Sequence, residues 1–227
     1  MLTEPQTTSR GAAPFLSCLD HAVAQYQPFP HWLLANILPA HLIDALAALP
    51  FAPPDGAVFN GQRESNNALR VYFNPQLQKQ FTTCREIVDI FNDAGVLERL
   101  RAVTGADVAA GRLRIEYCQD VDGFWLEPHR DISVKLFTML IYVSDDPRLF
   151  DAGTDIYDDS PEHNLVASVP YEKNRGLIFI PGAATWHGFS KRPIRGLRQS
   201  LIINYVSPDW RAVDELAVSM SLQGDVP

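Results

Sequence analysis

The sequence predicts a mainly β protein in which helices from the N-terminal half buttress an antiparallel sandwich. Three observations lead there. Helical spacing of apolar residues dominates residues 38–105. From Gly105 onward the chain turns to runs of β-branched and aromatic residues separated by Gly, Pro and Asp clusters. Strands and helices do not alternate, which disfavours a doubly wound parallel sheet. At 227 residues the chain is expected to form one domain.

Residues 1–30 are mixed in character and punctuated by "QPFP", so a surface arm is expected there. In "LPAHLIDALAALPF" Pro39 suits a first helical turn, and Leu42, Leu46 and Leu49 recur at helical spacing before Pro50 ends the pattern. The polar "DGAVFNGQRESNNALR" reads as loops or short hairpins. A second helical region runs from Gln76 to Gly105, with Phe81, Cys84, Ile87, Val88 and Phe91 on one face. Residues 38–105 thus form the expected helical support. Within 112–206, "RLRIEYC", "VKLFTMLIYVS", "GLIFIPG" and "GLRQSLIINYV" are the expected strands. In the closing segment, 207–227, Trp210, Val213, Leu216, Ala217 and Met220 space as a short helix. The acidic "DDPRLFDAGTDIYDD" lacks the ordered spacing of a calcium loop and reads as a solvated connection.

Composition narrows the function classes. Hydrophobic residues make up 46% and charged residues 20%, as in globular proteins and unlike disordered ones. A net charge of −8 provides no broad field for nucleic acid or an anionic membrane. Cys18, Cys84 and Cys118 are far apart and odd in number, against a disulfide framework or a cysteine zinc site. No apolar run approaches the length of a membrane span, and the N-terminus has no signal-peptide core, so a cytoplasmic location is expected.

Chemistry concentrates in "EPHRDIS". The triplet His129-Arg130-Asp131 matches a kinase catalytic loop, but that loop needs Asn five positions after its Asp, and residue 136 is Leu. Neither a DFG segment nor a glycine-rich G-x-G-x-x-G loop is present. Read as ligands, His129 and Asp131 lie two apart and share one side of an extended segment. Alone this is weak, since 6 His and 18 Asp give about 0.5 such pairs by chance. His187 follows 58 positions later after a strand and turn, with Arg198 on the next strand. Two imidazoles and one carboxylate make a facial triad that holds Fe(II) and leaves open positions, although zinc hydrolases use the same ligand types. Strict alternation back from Tyr142 would turn Asp131 outward, so a break is expected around residues 132–136.

With these elements the sequence resembles the Fe(II)/2-oxoglutarate-dependent dioxygenases, particularly their prolyl-hydroxylase-like branch. The resemblance spans Leu113 to Val206: Tyr117, Gly123, "HRD" at 129–131, "LIYVSDD" at 140–146, "GTDIY" at 153–157, "PGAATWH" at 181–187 and "GLRQS" at 196–200. It implies a double-stranded β-helix, or jelly-roll, core. It also implies that His129, Asp131 and His187 ligate iron and that Arg198 binds the distal carboxylate of 2-oxoglutarate, a role suited to a planar guanidinium. Arg192 and Arg195 are nearby rivals. Tyr117 and Tyr142 match positions that hydrogen-bond the co-substrate in relatives, and Ser200, two after Arg198, shares its strand face. The implied chemistry consumes O2 and 2-oxoglutarate, releases succinate and CO2, and hydroxylates or desaturates an unactivated C–H bond. Retention of Asp131 separates the chain from related halogenases, which lack that carboxylate. Arg63, Asn66, Asn67, Arg70 and Trp125 are candidate substrate residues. A small molecule is the expected substrate; a protein hydroxylase, a noncatalytic jelly-roll binder and a zinc hydrolase are the alternatives. The remaining His21, His31, His41 and His163 are expected at the surface or at helix ends.

Overall fold

A computed structural model of the chain describes residues 11–62 and 69–218. Five helices and eleven strands follow in order: α1 (Ala12–Asp20), β1 (Val23–Gln25), β2 (His31–Ala35), α2 (Ala40–Ala47), β3 (Val71–Tyr72), α3 (Pro75–Gln80), α4 (Thr82–Phe91), α5 (Ala94–Thr104), β4 (Arg112–Asp120), β5 (Leu126–His129), β6 (Lys135–Tyr142), β7 (Asp155–Tyr157), β8 (Leu165–Ser168), β9 (Arg175–Phe179), β10 (His187–Phe189) and β11 (Arg198–Val206). The strands form two antiparallel sheets. The larger is ordered β1-β2-β9-β6-β11-β4-β3 and the smaller β5-β10-β7-β8.

Period-two alternation divides the central strands between two cores. Ile115 and Tyr117 on β4, Phe137, Met139 and Ile141 on β6, and Leu201, Ile203 and Tyr205 on β11 pack with helix residues including Phe15, Leu46, Ile87, Phe91 and Leu100. The opposite positions, among them Leu140, Tyr142, Leu177 and Phe179, face Ile156 and Phe189 of the smaller sheet. Burial on both faces explains why β6 and β9 read as nearly continuous apolar runs. Their bounds follow the expected ones closely.

The supporting elements differ more. The segment expected as an arm contains α1, whose Phe15 is fully buried against Phe91. The second helical region is three helices: Asn74 caps α3 ahead of Pro75, and Asp93 caps α5 by accepting from the amides of Gly95 and Val96. Gly105 ends α5 with φ 77°, the left-handed conformation glycine adopts readily. The expected closing helix is a 3-10 turn, Val213–Glu215, followed by a bridge from Leu216 to Arg114; Met220 lies outside the described residues. His31, expected at the surface, is buried on β2 and bonded to the Phe29 carbonyl.

The acidic stretch expected to be solvated is instead buried in part, because it contains β7. Asp155 has a fully buried side chain and accepts from Ser168 Oγ (2.6 Å), the amide and hydroxyl of Ser190 (2.7 and 2.8 Å) and Arg192 Nη1 (2.6 Å). It thereby ties β8 and the chain leaving β10 to β7. Burial pushes this carboxyl up, and the bonds from Arg192, Ser168 and Ser190 together hold it below the usual carboxylate range. A depressed folded-state pKa stabilises the fold above the ordinary carboxylate pKa and is lost as pH falls through the depressed value. Asp155→Asn is expected to lower unfolding free energy by about 3 kcal/mol at pH 7. In denaturant titrations from pH 7 to 3 the deficit should narrow only below about pH 4.

Candidate active site

The two imidazoles meet because β5 and β10 pair with His129 directly opposite His187. Their ring centroids lie 4.3 Å apart, and His187 also contacts the Phe179 ring at 4.5 Å. Each Nδ1 lies 3.0 Å from a carbonyl oxygen, that of Glu127 for His129 and that of Thr185 for His187. A carbonyl only accepts, so each Nδ1 carries the proton and each Nε2 presents a lone pair. Asp131 lies in the irregular connection between β5 and β6, where the parity argument required a break. One ligand atom from each of His129, Asp131 and His187 falls within 4.8 Å of the others.

Asp131 is held from its own side. Its Oδ1 accepts from Lys135 Nζ at 2.7 Å and its Oδ2 from Thr138 Oγ1 at 2.7 Å, with the carboxylate side chain 1% exposed. These donors leave a lone pair on each oxygen. Two neutral imidazoles and a fixed carboxylate are a donor set that fits Fe(II). Thr138 in turn accepts from Asn204 Nδ2 (2.9 Å), and Arg114 donates to Asn204 Oδ1 (3.1 Å), so the carboxylate is continuous with a buried network.

A cavity of about 60 Å³ runs inward from the two histidines between the sheets. Register sets the order of its walls. Along β11 come Arg198, Ser200 and Ile202, with Asp120 opposite Arg198, Cys118 opposite Ser200 and Leu140 opposite Ile202. The cavity therefore has arginine at one end, apolar Ile202 and Leu140 midway, and the ligand cluster at the other. Arg198 donates through Nε to the Ala152 carbonyl (2.6 Å) and through Nη1 to Asp120. Burial pushes the Cys118 thiol up to about 12, so it is neutral at physiological pH. Two wider cavities of about 620 and 590 Å³ adjoin the cluster from outside and share His129, Arg130 and Asp131.

The remaining expected residues divide. Ser200 lines the inner cavity. Tyr142 stands behind its wall, donating to Thr154 Oγ1 and accepting from the Thr154 amide. Tyr117 does not reach the cavity: it faces the helices, and its hydroxyl joins Leu46 and Gln199. Arg70 lies on the inner cavity rather than the outer clefts, 2.9 Å from Asp120. Trp125 packs over Gly61 beneath Lys191. Arg63, Asn66 and Asn67 lie outside the described residues. The rival arginines are engaged elsewhere, Arg192 at Asp155 and Arg195 3.8 Å from Asp151 on the surface. Sequence reasoning missed Asp120, Thr138 and Thr154; the first two sit at inward parity on expected strands, and that is the signal available.

No family model and no curated protein matches the sequence. Solved structures do, and they place the chain in the fold of the 2-oxoglutarate and Fe(II) oxygenases, prolyl hydroxylases among them. A Pseudomonas putida prolyl-4-hydroxylase aligns over 86% of this chain and 93% of its own, at 14% identity and a TM-score of 0.56. A Trichoplax adhaerens prolyl hydroxylase, solved with a hypoxia inducible factor oxygen degradation domain peptide, aligns over 86% and 89% at 13% identity, TM-score 0.55. A Burkholderia pseudomallei oxidoreductase of the 2OG-Fe(II) oxygenase family aligns over 78% and 85% at 18% identity, TM-score 0.50. No helix among the described residues is long and apolar enough to cross a membrane.

If Thr138 holds Asp131 as described, Thr138→Val should weaken Fe(II) or Co(II) binding roughly 10- to 100-fold while leaving the fold intact. Calorimetric titration with Co(II), beside His129→Ala as the loss-of-ligand control, measures it; an unchanged affinity in Thr138→Val would remove the threonine from the site.

Proposed function

We propose that this chain is an Fe(II)- and 2-oxoglutarate-dependent oxygenase with a jelly-roll core that hydroxylates an unactivated C–H bond of a small molecule. The observation that carries the reading is the inner cavity, which joins the His129–Asp131–His187 cluster to Arg198 through an apolar middle. Iron bound there would supply the activation of O2 coupled to decarboxylation of 2-oxoglutarate to succinate and CO2.

The protein's own residues bind and orient. His129, Asp131 and His187 would hold the metal. Arg198 faces the distal carboxylate, with Ser200 on the same strand face and Thr154 fixed by Tyr142. Ile202 and Leu140 fit a two-carbon methylene segment and exclude water from it. The substrate enters from the outer clefts, where exposed Glu127 and Arg130 stand on one wall. Groups of both signs on one wall suit a small zwitterion such as an amino acid or a natural-product intermediate. The peptide-bound neighbour supports a second reading, a protein substrate laid across the two clefts.

Under anaerobic conditions, Fe(II) and 2-oxoglutarate together should give the weak visible charge-transfer band of the chelate. Arg198→Ala should reduce 2-oxoglutarate affinity by about 10- to 100-fold, the worth of a charge-assisted contact. Iron bound without a band would sink the oxygenase reading, whereas a band with unchanged affinity in Arg198→Ala would move the anchor elsewhere. Succinate release with free amino acids but not with proline-containing peptides separates the two substrate classes.

A further inference from the structure

The anion end of the inner cavity holds a carboxylate of its own. Asp120 lies directly opposite Arg198 in the β4/β11 register, and the residue is 2% exposed. It divides its oxygens between two cations, Oδ1 to Arg70 Nη1 at 2.9 Å and Oδ2 to Arg198 Nη1. Arg198 is 5% exposed and its Nε is committed to the Ala152 carbonyl. The fork that would grip a ligand carboxylate is thus shared with a protein carboxylate. Two guanidinium groups and one carboxylate leave an excess of one positive charge in a buried site, which one further carboxylate would neutralise.

We propose that Asp120 is a resident counter-anion that occupies Arg198 until the distal carboxylate of 2-oxoglutarate takes its place, with Arg70 retaining Asp120 during the exchange. This rests on the oxygenase reading above. Arg70 is what makes the exchange feasible: with a second cation on its other oxygen, Asp120 can yield Arg198 without becoming a buried unpaired charge. The arrangement lowers affinity for the co-substrate and selects for a 2-oxo acid that carries a second carboxylate. A purely aiming role for Asp120, in which it orients the Arg198 fork, gives the opposite sign on removal.

The test is calorimetric titration of the Mn(II)-loaded full chain, without O2, with 2-oxoglutarate and with 2-oxobutyrate, which lacks the distal carboxylate. Asp120→Asn is expected to bind 2-oxoglutarate at least about threefold more tightly, with 2-oxobutyrate unchanged. Arg70→Gln should weaken 2-oxoglutarate binding about tenfold, because Asp120 then remains on Arg198. The double variant keeps the site's charge balance, which guards against misfolding of Asp120→Asn alone, and should return to within about threefold of the parent. Weaker binding in a folded Asp120→Asn, or a double variant as weak as Arg70→Gln, overturns the proposal and leaves the oxygenase reading standing. A parent chain that binds metal but no 2-oxo acid overturns both.

Discussion

The inner face of the larger sheet carries charged groups in a place that excludes water, and each must be paired within the protein. An ion pair broken in such a setting costs about 3–5 kcal/mol, because the partner left behind cannot be resolvated. Pairing is complete along a continuous path. Arg114 joins Glu116 and Glu215 at 2.9 and 2.6 Å and continues through Asn204 and Thr138 to Asp131, which Lys135 neutralises. At the other end Asp120 lies between Arg70 and Arg198. The carboxylate of the candidate metal site is therefore set by the interior of the sheet, although the backbone bearing it belongs to an irregular connection.

The histidines depend on a different constraint. β5 has four residues and β10 three, too few for ladder hydrogen bonds to fix their place unaided. Their position comes from side chains: the Asp155 knot ties the segment after β10 to β7, and Phe189 packs into the core between the sheets. Gly188 belongs to the same solution, since a Cβ there would approach the Leu126 carbonyl oxygen to 2.8 Å. The ligand pair is thus supported by charge on one side and close backbone packing on the other.

Much of this was legible in the sequence, and the rest was hidden for definable reasons. The long strands β4, β6, β9 and β11 could be read because β-branched and aromatic runs between turn residues are local signals. His129, Asp131, His187 and Arg198 could be read because their order and spacing are chemical signals. Tyr117 shares the apolar parity of Leu113 and Ile115, which alternate with Arg114 and Glu116, but that this face packs on the helices and not on the cavity is set by tertiary pairing, here with helix-facing Leu201. Asp120 was missed because its meaning arises from a partner 78 positions away. The acidic stretch misled because composition reports average exposure, while Asp155 is an individual charge satisfied by five donors. Helix α1 was hidden in a segment whose "QPFP" suggested an arm, although Pro28 and Pro30 lie beyond its end and Pro14 sits in its first turn.

The order of groups along β11 constrains the ligand more tightly than any single contact. Successive inward residues stand about 7 Å apart, two strand residues per step. Arg198, Ser200, Ile202 and Asn204 therefore run from guanidinium through hydroxyl and hydrocarbon to the amide that supports Thr138 beside Asp131. A ligand lying in the cavity between Arg198 and the histidines would be anionic at one end, apolar between, and able to donate electron pairs to a metal at the other. A short 2-oxo dicarboxylate satisfies all three conditions in that order. A longer fatty acid would meet polar groups where hydrocarbon is required, and a monocarboxylate would leave the arginine end with its excess positive charge. The proposed selectivity follows from strand register, which a single-residue slip between β4 and β11 would abolish by turning Asp120 and Arg198 toward opposite faces.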